Sequence, residues 1–210
     1  MKTVQIGFDA WKLRFFEGAD VWHCNNLHSL LPQEIGILPA AWFQIHREED
    51  LYKESPAHLE WLKQNHPFPI YMSREFREYP ASIELPREEL KKLWTLDTPV
   101  SFASSFSWMV AMAIHLGYEQ IWCSGIDFYT SREAYLEAPN FMAWLGIAAG
   151  HGIVVGGEGR LFEHYLYGVE ERKAPAWLPM EAAHDLILDQ IDEGRKLRSG
   201  WMKKRREYYS

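Results

Sequence analysis

The chain has 210 residues, of which 47% are hydrophobic and 24% are charged, and its formal net charge is −7. This length and balance favour a folded domain and exclude a disordered chain, and the negative charge argues against a nucleic-acid-binding protein. The two cysteines follow no metal-binding spacing, and no run reaches the ~18 apolar residues of a membrane span. We therefore expect a cytoplasmic protein without a transmembrane segment.

Short apolar runs alternate with helical patterns along the chain. This alternation predicts an α/β fold of the Rossmann-like type, with a mostly parallel sheet and helices on both faces. Pro69 places the fourth predicted strand at an edge of the sheet. The predicted strands are residues 4–8, 20–24, 40–45, 68–72, 121–123 and 153–155. The predicted helices are residues 56–64, residues 86–94, a helix capped by Ser104 or Ser105 that ends at Leu116, and a helix that Pro139 opens.

The last part of the chain differs in composition from the rest. Residues 169–179 contain several proline and alanine residues and predict a linker after a Rossmann-like domain of residues 1–168. A polar helix is predicted over residues 180–206, and residues 195–206 contain seven Lys or Arg. This basic C-terminal helix is interpreted either as a solvated helix end or as a contact with an anionic partner, such as a membrane surface, nucleic acid or another subunit.

Polar residues follow several predicted strands at the point where each strand ends. In open α/β sheets, ligands bind beyond the carboxyl ends of the strands, where loops and helix N-termini converge. Asn25 offers both a donor and an acceptor, and Gly125 permits a close approach to the backbone. The candidate residues at these ends are Asp9, Asn25, His46, Ser104, Ser105, Gly125, Ile126, Asp127 and Tyr129.

Common nucleotide and metal fingerprints are absent from the sequence. The chain has no GxGxxG and no GKS or GKT phosphate loop, and it has neither HExxH nor CxxC. We therefore expect no protein-held metal and no cofactor.

Residues 102–135, FASSFSWMVAMAIHLGYEQIWCSGIDFYTSREAY, resemble the nucleotide-binding core of the bacterial sialyltransferases of glycosyltransferase family 42. The resemblance extends weakly to HCNN at residues 23–26 and to AAWF at residues 40–43. It implies a metal-independent transfer of sialic acid from CMP-sialic acid to a sugar acceptor. The layout is also similar to phage-encoded Rossmann-like proteins and, more distantly, to the 6-hydroxymethylpterin pyrophosphokinase-like family.

The resemblance implies a role for each matching residue. Asn25 and Ser105 match residues at the CMP site, and Gly125 with Ile126 matches the backbone stretch against the cytidine. Tyr129 and Tyr135 match the tyrosine pair that holds the phosphate of the nucleotide and stabilises its departure.

The chain also departs from the family in three places. Asp9 stands where the family has an asparagine, and Ile45 replaces a second asparagine. The insertion that contains the catalytic histidine of the family is missing, because only LEAPN separates Tyr135 from the next predicted helix. His46, after the third strand, is therefore our candidate for the general base. The roles of His23 and His28, which flank Asn25, stay open.

Three functions are consistent with these features. The first is a CMP-dependent, sialyltransferase-like glycosyltransferase. The second is another nucleotide-dependent transferase, such as a pyrophosphokinase-like enzyme in which Asp9 and Asp127 hold Mg²⁺. The third is a non-catalytic nucleotide-binding phage accessory protein. The expected partners are a nucleotide or nucleotide-sugar, a second copy of the chain in a homo-oligomer, and an anionic surface for the basic C-terminal helix.

Overall fold

The computed structural model describes residues 1–7, 17–29, 37–46, 50, 56–126 and 134–157, without the side chains of residues 134–136. The strands are β1 (Thr3–Ile6), β2 (Asp20–Cys24), β3 (Ala41–Gln44), β4 (Ile70–Met72), β5 (Ser82–Glu84), β6 (Gln120–Cys123) and β7 (Val154–Gly157). The α-helices are α1 (Pro56–Leu62), α2 (Arg87–Lys91), α3 (Ser105–His115) and α4 (Ala134–Gly150), and a 3-10 helix spans Asn25–Ser29.

The seven strands form one sheet in the order β5-β4-β3-β2-β1-β6-β7, and every pair is parallel. The predicted Rossmann-like α/β fold is thereby confirmed. From β1 the chain moves stepwise to one edge through β5, and it then returns to place β6 on the other side of β1. The strand order therefore reverses between β1 and β6, which is where open α/β sheets form a ligand crevice.

Two apolar clusters cover the two faces of the sheet, as expected for a parallel sheet. The larger cluster joins strand residues such as Val4, Ile6 and Ile121 to helices α2, α3 and α4. The smaller cluster packs Leu62 of α1 against β3 and β4. Both clusters are largely removed from water, and each buried Leu, Ile or Phe side chain contributes about 1.5–3 kcal/mol to this packing.

The fourth strand is not at an edge, contrary to the prediction from Pro69. Pro69 lies just before β4, and its carbonyl accepts a hydrogen bond of 2.9 Å from the Trp42 amide. Since Pro69 precedes the first strand residue, its missing N–H removes no bond from within the ladder. The edge is formed by β5, a three-residue strand in which only Ser82 is buried. Such a short, half-exposed strand gives too weak a pattern for prediction.

The helix boundaries differ from the prediction in one instructive place. Helix α4 starts at Ala134, so Pro139 lies inside the helix and does not open it. Only the hydrogen bond from residue 139 to the carbonyl of residue 135 is lost there. The buried side chains of Phe141 and Trp144 anchor the helix on the core and offset that loss. The residues LEAPN thus belong to the helix itself.

The chain divides into two compact units, Met1–His164 and Tyr165–Ser210. The predicted linker and the basic C-terminal helix fall outside the described residues, so the proposed boundary at residue 168 stays a prediction. Within the described part, no helix combines the length and the apolar character that crossing a membrane requires.

Candidate functional site

The carboxyl ends of β1 and β6 touch each other through Gly7. Gly7 has a φ of +120°, and a Cβ atom at this position would overlap the Ser124 carbonyl oxygen and lie 2.9 Å from Cγ1 of Ile126. The Ser124 amide also donates a 3.0 Å hydrogen bond to the Ile6 carbonyl. Only a glycine permits this approach, which closes the floor of the crevice between the two strands.

Gly125 and Ile126 come directly after Ser124, at the carboxyl end of β6. Gly125 is half-buried with a φ of +64°, so its backbone bends sharply after β6. Ile126 is 1% exposed, because its side chain turns into the larger apolar cluster and packs on Gly7. Of these two predicted nucleotide-binding residues, Ile126 can offer only its backbone to a ligand.

Asn25 occupies an unusual backbone conformation at the end of β2. With a φ of +54°, it is the only non-glycine residue with positive φ among the residues described. Its carbonyl accepts a hydrogen bond of 2.9 Å from Trp42 Nε1, and its Oδ1 accepts one of 3.2 Å from the Ser105 hydroxyl. The left-handed conformation costs on the order of 1 kcal/mol in a non-glycine residue, and such strain is common at binding sites.

Asn25 and Ser105, two of the predicted site residues, are thus in direct contact although they lie 80 positions apart in the sequence. Ser105 is the first residue of α3, so the N-terminus of this helix points at the Asn25 side chain. The contact occupies Oδ1 of Asn25, and within the described part of the chain its Nδ2 amide donates to no group. The site therefore combines an available amide donor with the partial positive charge of a helix N-terminus.

Ser104 has a structural role at the same helix terminus. Its hydroxyl accepts a 3.3 Å hydrogen bond from the Ser107 amide and lies 3.2 Å from the Ser107 hydroxyl. Ser104 is therefore the N-cap of α3, which settles which of the two serines caps the helix. Ser105 is the one that reaches towards the crevice.

Asn140, which the sequence analysis did not identify, holds the segment before α3 in place. Its Oδ1 accepts hydrogen bonds from the Ala103 amide at 2.9 Å and from the Ser107 hydroxyl at 2.7 Å. Its Nδ2 donates to the Ser101 carbonyl at 3.1 Å, and Trp144 Nε1 donates to the same carbonyl at 2.9 Å. A single buried amide of α4 thus positions the helix start that carries Ser105.

Replacing Asn140 by Ala should lower the free energy of unfolding by about 2–4 kcal/mol, because buried polar partners lose their hydrogen bonds. Urea denaturation measures the change. Ser107→Ala is the graded control, since it removes the 2.7 Å hydroxyl bond to Asn140 and leaves the contacts of Asn140 to Ala103 and Ser101 in place. If Asn140→Ala is no less stable than Ser107→Ala, the contacts to Ala103 and Ser101 do not hold the segment.

His46 lies two residues beyond β3 and is half-buried. Its Nδ1 is 3.0 Å from Nε2 of Gln44, the last residue of β3. The Gln44 Oε1 is in turn 3.0 Å from Nε2 of His58, and Nδ1 of His58 is 2.7 Å from Nε2 of His28. The candidate base His46 is therefore linked to His58 and His28 by hydrogen bonds along the carboxyl edge of β3.

Three histidines of this region are held neutral by burial. Burial lowers the pKa of His23 to about 4, and the Gly7 backbone beside its ring opposes this effect only in part. Burial, followed by the nearby His28 and His46, lowers the pKa of His58 to about 4. Burial and the neighbouring His66 lower the pKa of His28 to about 4. Within the part of the chain that the structure describes, no well-formed hydrogen bond reaches either ring nitrogen of His23, which is 1% exposed.

The remaining predicted site residues are not placed by the structure. Asp9, Asp127 and Tyr129 lie outside the described residues, and Tyr135 is described only as backbone within α4. Their roles stay predictions. The described residues contain no group of three or more His, Cys, Asp or Glu that could hold a metal ion.

A surface cavity of about 460 Å³ lies away from these residues. It is lined by the carboxyl half of α4 together with Thr95 and Leu96. Because α4 runs from the end of β6 to the start of β7, this cavity lies near the amino ends of the strands. It does not coincide with the crevice, and the contact between Asn25 and Ser105 is the better guide to a ligand.

No model of a known protein family matches the chain, and no curated protein is similar to it in sequence. Two sialyltransferases of Campylobacter jejuni have a similar fold. The structure of CstII in complex with the substrate analogue CMP-3FNeuAc is 21% identical, with 75% of this chain and 80% of that chain covered and a TM-score of 0.52. The monofunctional alpha-2,3-sialyltransferase Cst-I is 15% identical, with 93% and 95% covered and a TM-score of 0.51.

Proposed function

We propose that this chain binds a CMP-linked sugar at the carboxyl ends of β1, β2 and β6 and acts as a sialyltransferase-like glycosyltransferase. The observation behind this proposal is the contact between Asn25 and Ser105 beside the Gly7 floor, at the point where the strand order reverses. The similarity of fold to CstII, which was solved with CMP-3FNeuAc, supports a nucleotide of the CMP type. The nucleotide-sugar is then the substrate, and no separate cofactor is expected.

The described residues suggest how the nucleotide is oriented. The Nδ2 amide of Asn25 can donate to a carbonyl of the base or to a ribose oxygen. The N-terminus of α3 at Ser105 favours the negative charge of the phosphate. Gly125 exposes backbone to the same crevice. These groups lie on rigid elements, since Asn140 and the Gly7 contact hold the flanking segments.

The chemistry of transfer requires a base and a stabilised leaving group. We assign the base to His46, which would remove the proton from an acceptor hydroxyl as that oxygen attacks the anomeric carbon of the sugar. Tyr129 and Tyr135 remain our candidates for hydroxyl donors to the departing CMP phosphate, where donors act on developing negative charge. Each transfer then yields CMP, the glycosylated acceptor and one proton.

Calorimetric titration with CMP tests the proposed site. We expect wild-type protein to bind CMP without Mg²⁺, and Asn25→Gly to bind it about tenfold more weakly, because one hydrogen bond is lost. Glycine is chosen because it accepts the left-handed conformation without strain. The matched control is Asn26→Ala, which changes the next and exposed residue, and its affinity for CMP should equal that of wild type.

The same titration separates the alternative functions. Binding of ATP only in the presence of Mg²⁺, without binding of CMP, would indicate a pyrophosphokinase-like enzyme. Binding of CMP without release of CMP from CMP-sialic acid would indicate a nucleotide-binding protein that does not catalyse transfer. No binding of CMP, CDP, UDP, ATP or GTP under either condition would contradict the proposed site itself.

A further inference from the structure

Arg87 is the first residue of α2, just beyond the carboxyl end of the edge strand β5. Its side chain is half-buried, and among the described residues its buried Nε–H has no hydrogen-bond partner. The nearest acid along the helix, Glu88, pairs with Lys91 at 2.6 Å, and no described carboxylate forms an ion pair with Arg87. Buried arginines are normally paired, because an unpaired buried cation is costly. The Arg87 guanidinium therefore lacks, within the described part of the chain, the anion that it suits.

Stacked aromatic rings hold this guanidinium in place. Its Cζ atom lies 5.8 Å from the centroid of the Trp108 ring, within the range of a cation–π contact. Trp108 stacks on Phe102 with 3.5 Å between centroids and 5° between planes, and Phe102 stacks on Trp144 at 4.6 Å. Trp144 is fully buried in the larger apolar cluster. Arg87 thus rests on a stack that reaches into the core, so little conformational freedom is lost when it binds a ligand.

The helix that supports Arg87 also carries part of the candidate nucleotide site. Trp108 lies three residues after Ser105 on α3, and Ser105 contacts Asn25 at the carboxyl end of β2. The rise of an α-helix over three residues, together with the contact between Trp108 and Arg87, places the guanidinium on the order of 10 Å from Ser105. A sugar linked or adjacent to the nucleotide phosphate can span such a distance.

We propose that Arg87 binds the carboxylate of an acidic sugar at the edge of the candidate site. This inference rests on the proposed function, since it assigns a contact to the sugar that is transferred or to the sugar that receives it. Because Nε is closed off from water, the two Nη groups hold the carboxylate end-on, with one hydrogen bond to each oxygen. A planar guanidinium is suited to this bidentate pairing, which a neutral sugar cannot form.

Two pairs of probes that each differ by one acidic sugar test the proposal. CMP-3FNeuAc is compared with CMP for the donor, and 3′-sialyllactose is compared with lactose for the acceptor, by calorimetric titration. Arg87→Gln should bind at least one of the two acidic probes about 30-fold more weakly than wild type, because a charge-assisted bidentate pair is lost. CMP and lactose should bind Arg87→Gln as they bind wild type. The acidic probe that is affected identifies the donor or the acceptor as the source of the carboxylate.

Arg74→Gln is the matched control. Arg74 follows β4 at the same edge of the sheet and also lies over an aromatic ring, with its Cζ atom 4.1 Å from the Phe76 centroid. It is exposed, and its Nη1 donates to the Glu75 carbonyl at 3.3 Å. Its replacement removes one positive charge from this edge and should leave the affinity for all four probes unchanged. Arg87→Lys keeps the charge without the planar fork and should restore only part of the lost affinity.

Three results would overturn the proposal. One is a folded Arg87→Gln protein that binds all four probes as wild type does. Another is an equal loss of affinity in Arg74→Gln, which would show that charge at long range is sufficient. The third is obtained with wild type alone and holds even if Arg87→Gln does not fold. Methyl esters of the two acidic probes lack the carboxylate charge, and both esters binding as tightly as the acids would exclude the contact.

The same measurements separate this inference from the proposed function. If wild type binds CMP while Arg87→Gln changes the affinity for neither acidic probe, the carboxylate site fails and the proposed nucleotide site stands. If wild type binds neither CMP nor CMP-3FNeuAc, but binds 3′-sialyllactose in a manner that depends on Arg87, the proposed function fails and the carboxylate site stands. Binding of none of the four probes would contradict both.

Discussion

Lowering the pH from 7 to 5 should reduce the free energy of unfolding by about 4 kcal/mol, because His23 and His58 must stay neutral in the folded protein. Both are at most 1% exposed, and burial lowers the pKa of each from 6.5 to about 4. Between pH 6.5 and 4 the unfolded chain binds more protons than the folded one, so stability falls as the pH falls through this window. His28 is partly exposed and adds a smaller amount.

Chemical denaturation at a series of pH values measures this dependence. His23→Leu is the informative variant, because it removes one of the two buried histidines and, among the described residues, breaks no well-formed hydrogen bond to the His23 ring. The loss of stability between pH 7 and 5 should then fall to about half of the wild-type value. A pH dependence in His23→Leu as steep as that of wild type would show that His23 does not contribute.

Gly7→Ala should destabilise the protein by about 3 kcal/mol or more. The φ of +120° is one that side chains rarely adopt, and the new methyl group would collide with the Ser124 carbonyl. That carbonyl belongs to the backbone after β6 and cannot rotate away as a side chain would. The junction between β1 and β6 must therefore open, and we expect a lower midpoint in both thermal and urea unfolding.

Gly18→Ala is the matched control for this substitution. Gly18 also has a positive φ, of +75°, but a Cβ atom there would meet no atom within 4 Å. Its replacement should cost only the backbone strain, about 1 kcal/mol. Equal losses for the two alanine variants would mean that the contact between Gly7 and Ser124 adds nothing to stability.

The general form of the fold could be predicted because parallel strands are apolar runs flanked by helix signals. β2 was predicted with its observed ends, and β3 to within a residue at each end. The order of the strands could not be predicted, since it depends on pairings such as that of β1 with β6. Pro69 was misleading because proline is excluded from the ladder but not from the position just before it.

Some residues of the candidate site could likewise be predicted from the sequence, and others could not. The rule that ligands bind at strand ends brought Asn25 and Ser105 into one hypothesis, and the structure places them in contact. Asn140 was missed because an asparagine inside a helix gives no local signal, and its partners lie 33 to 39 residues upstream. The contact between His28 and His58 was missed for the same reason, as 30 residues separate them in the sequence.

The pairing of β1 with β6 also has a consequence for the order in which the protein folds. β2 to β5 follow β1 closely in the chain, whereas the Thr3 side chain bonds to Gln120, 117 residues away. Closing so long a loop is slow, and on the ribosome it must wait until β6 has been synthesised. Strands β1 to β5 can therefore assemble first. The carboxyl ends of β1 and β6, which flank the crevice, come together only after β6 has been synthesised. The proposed binding of CMP should accordingly appear only after β6 has joined the sheet.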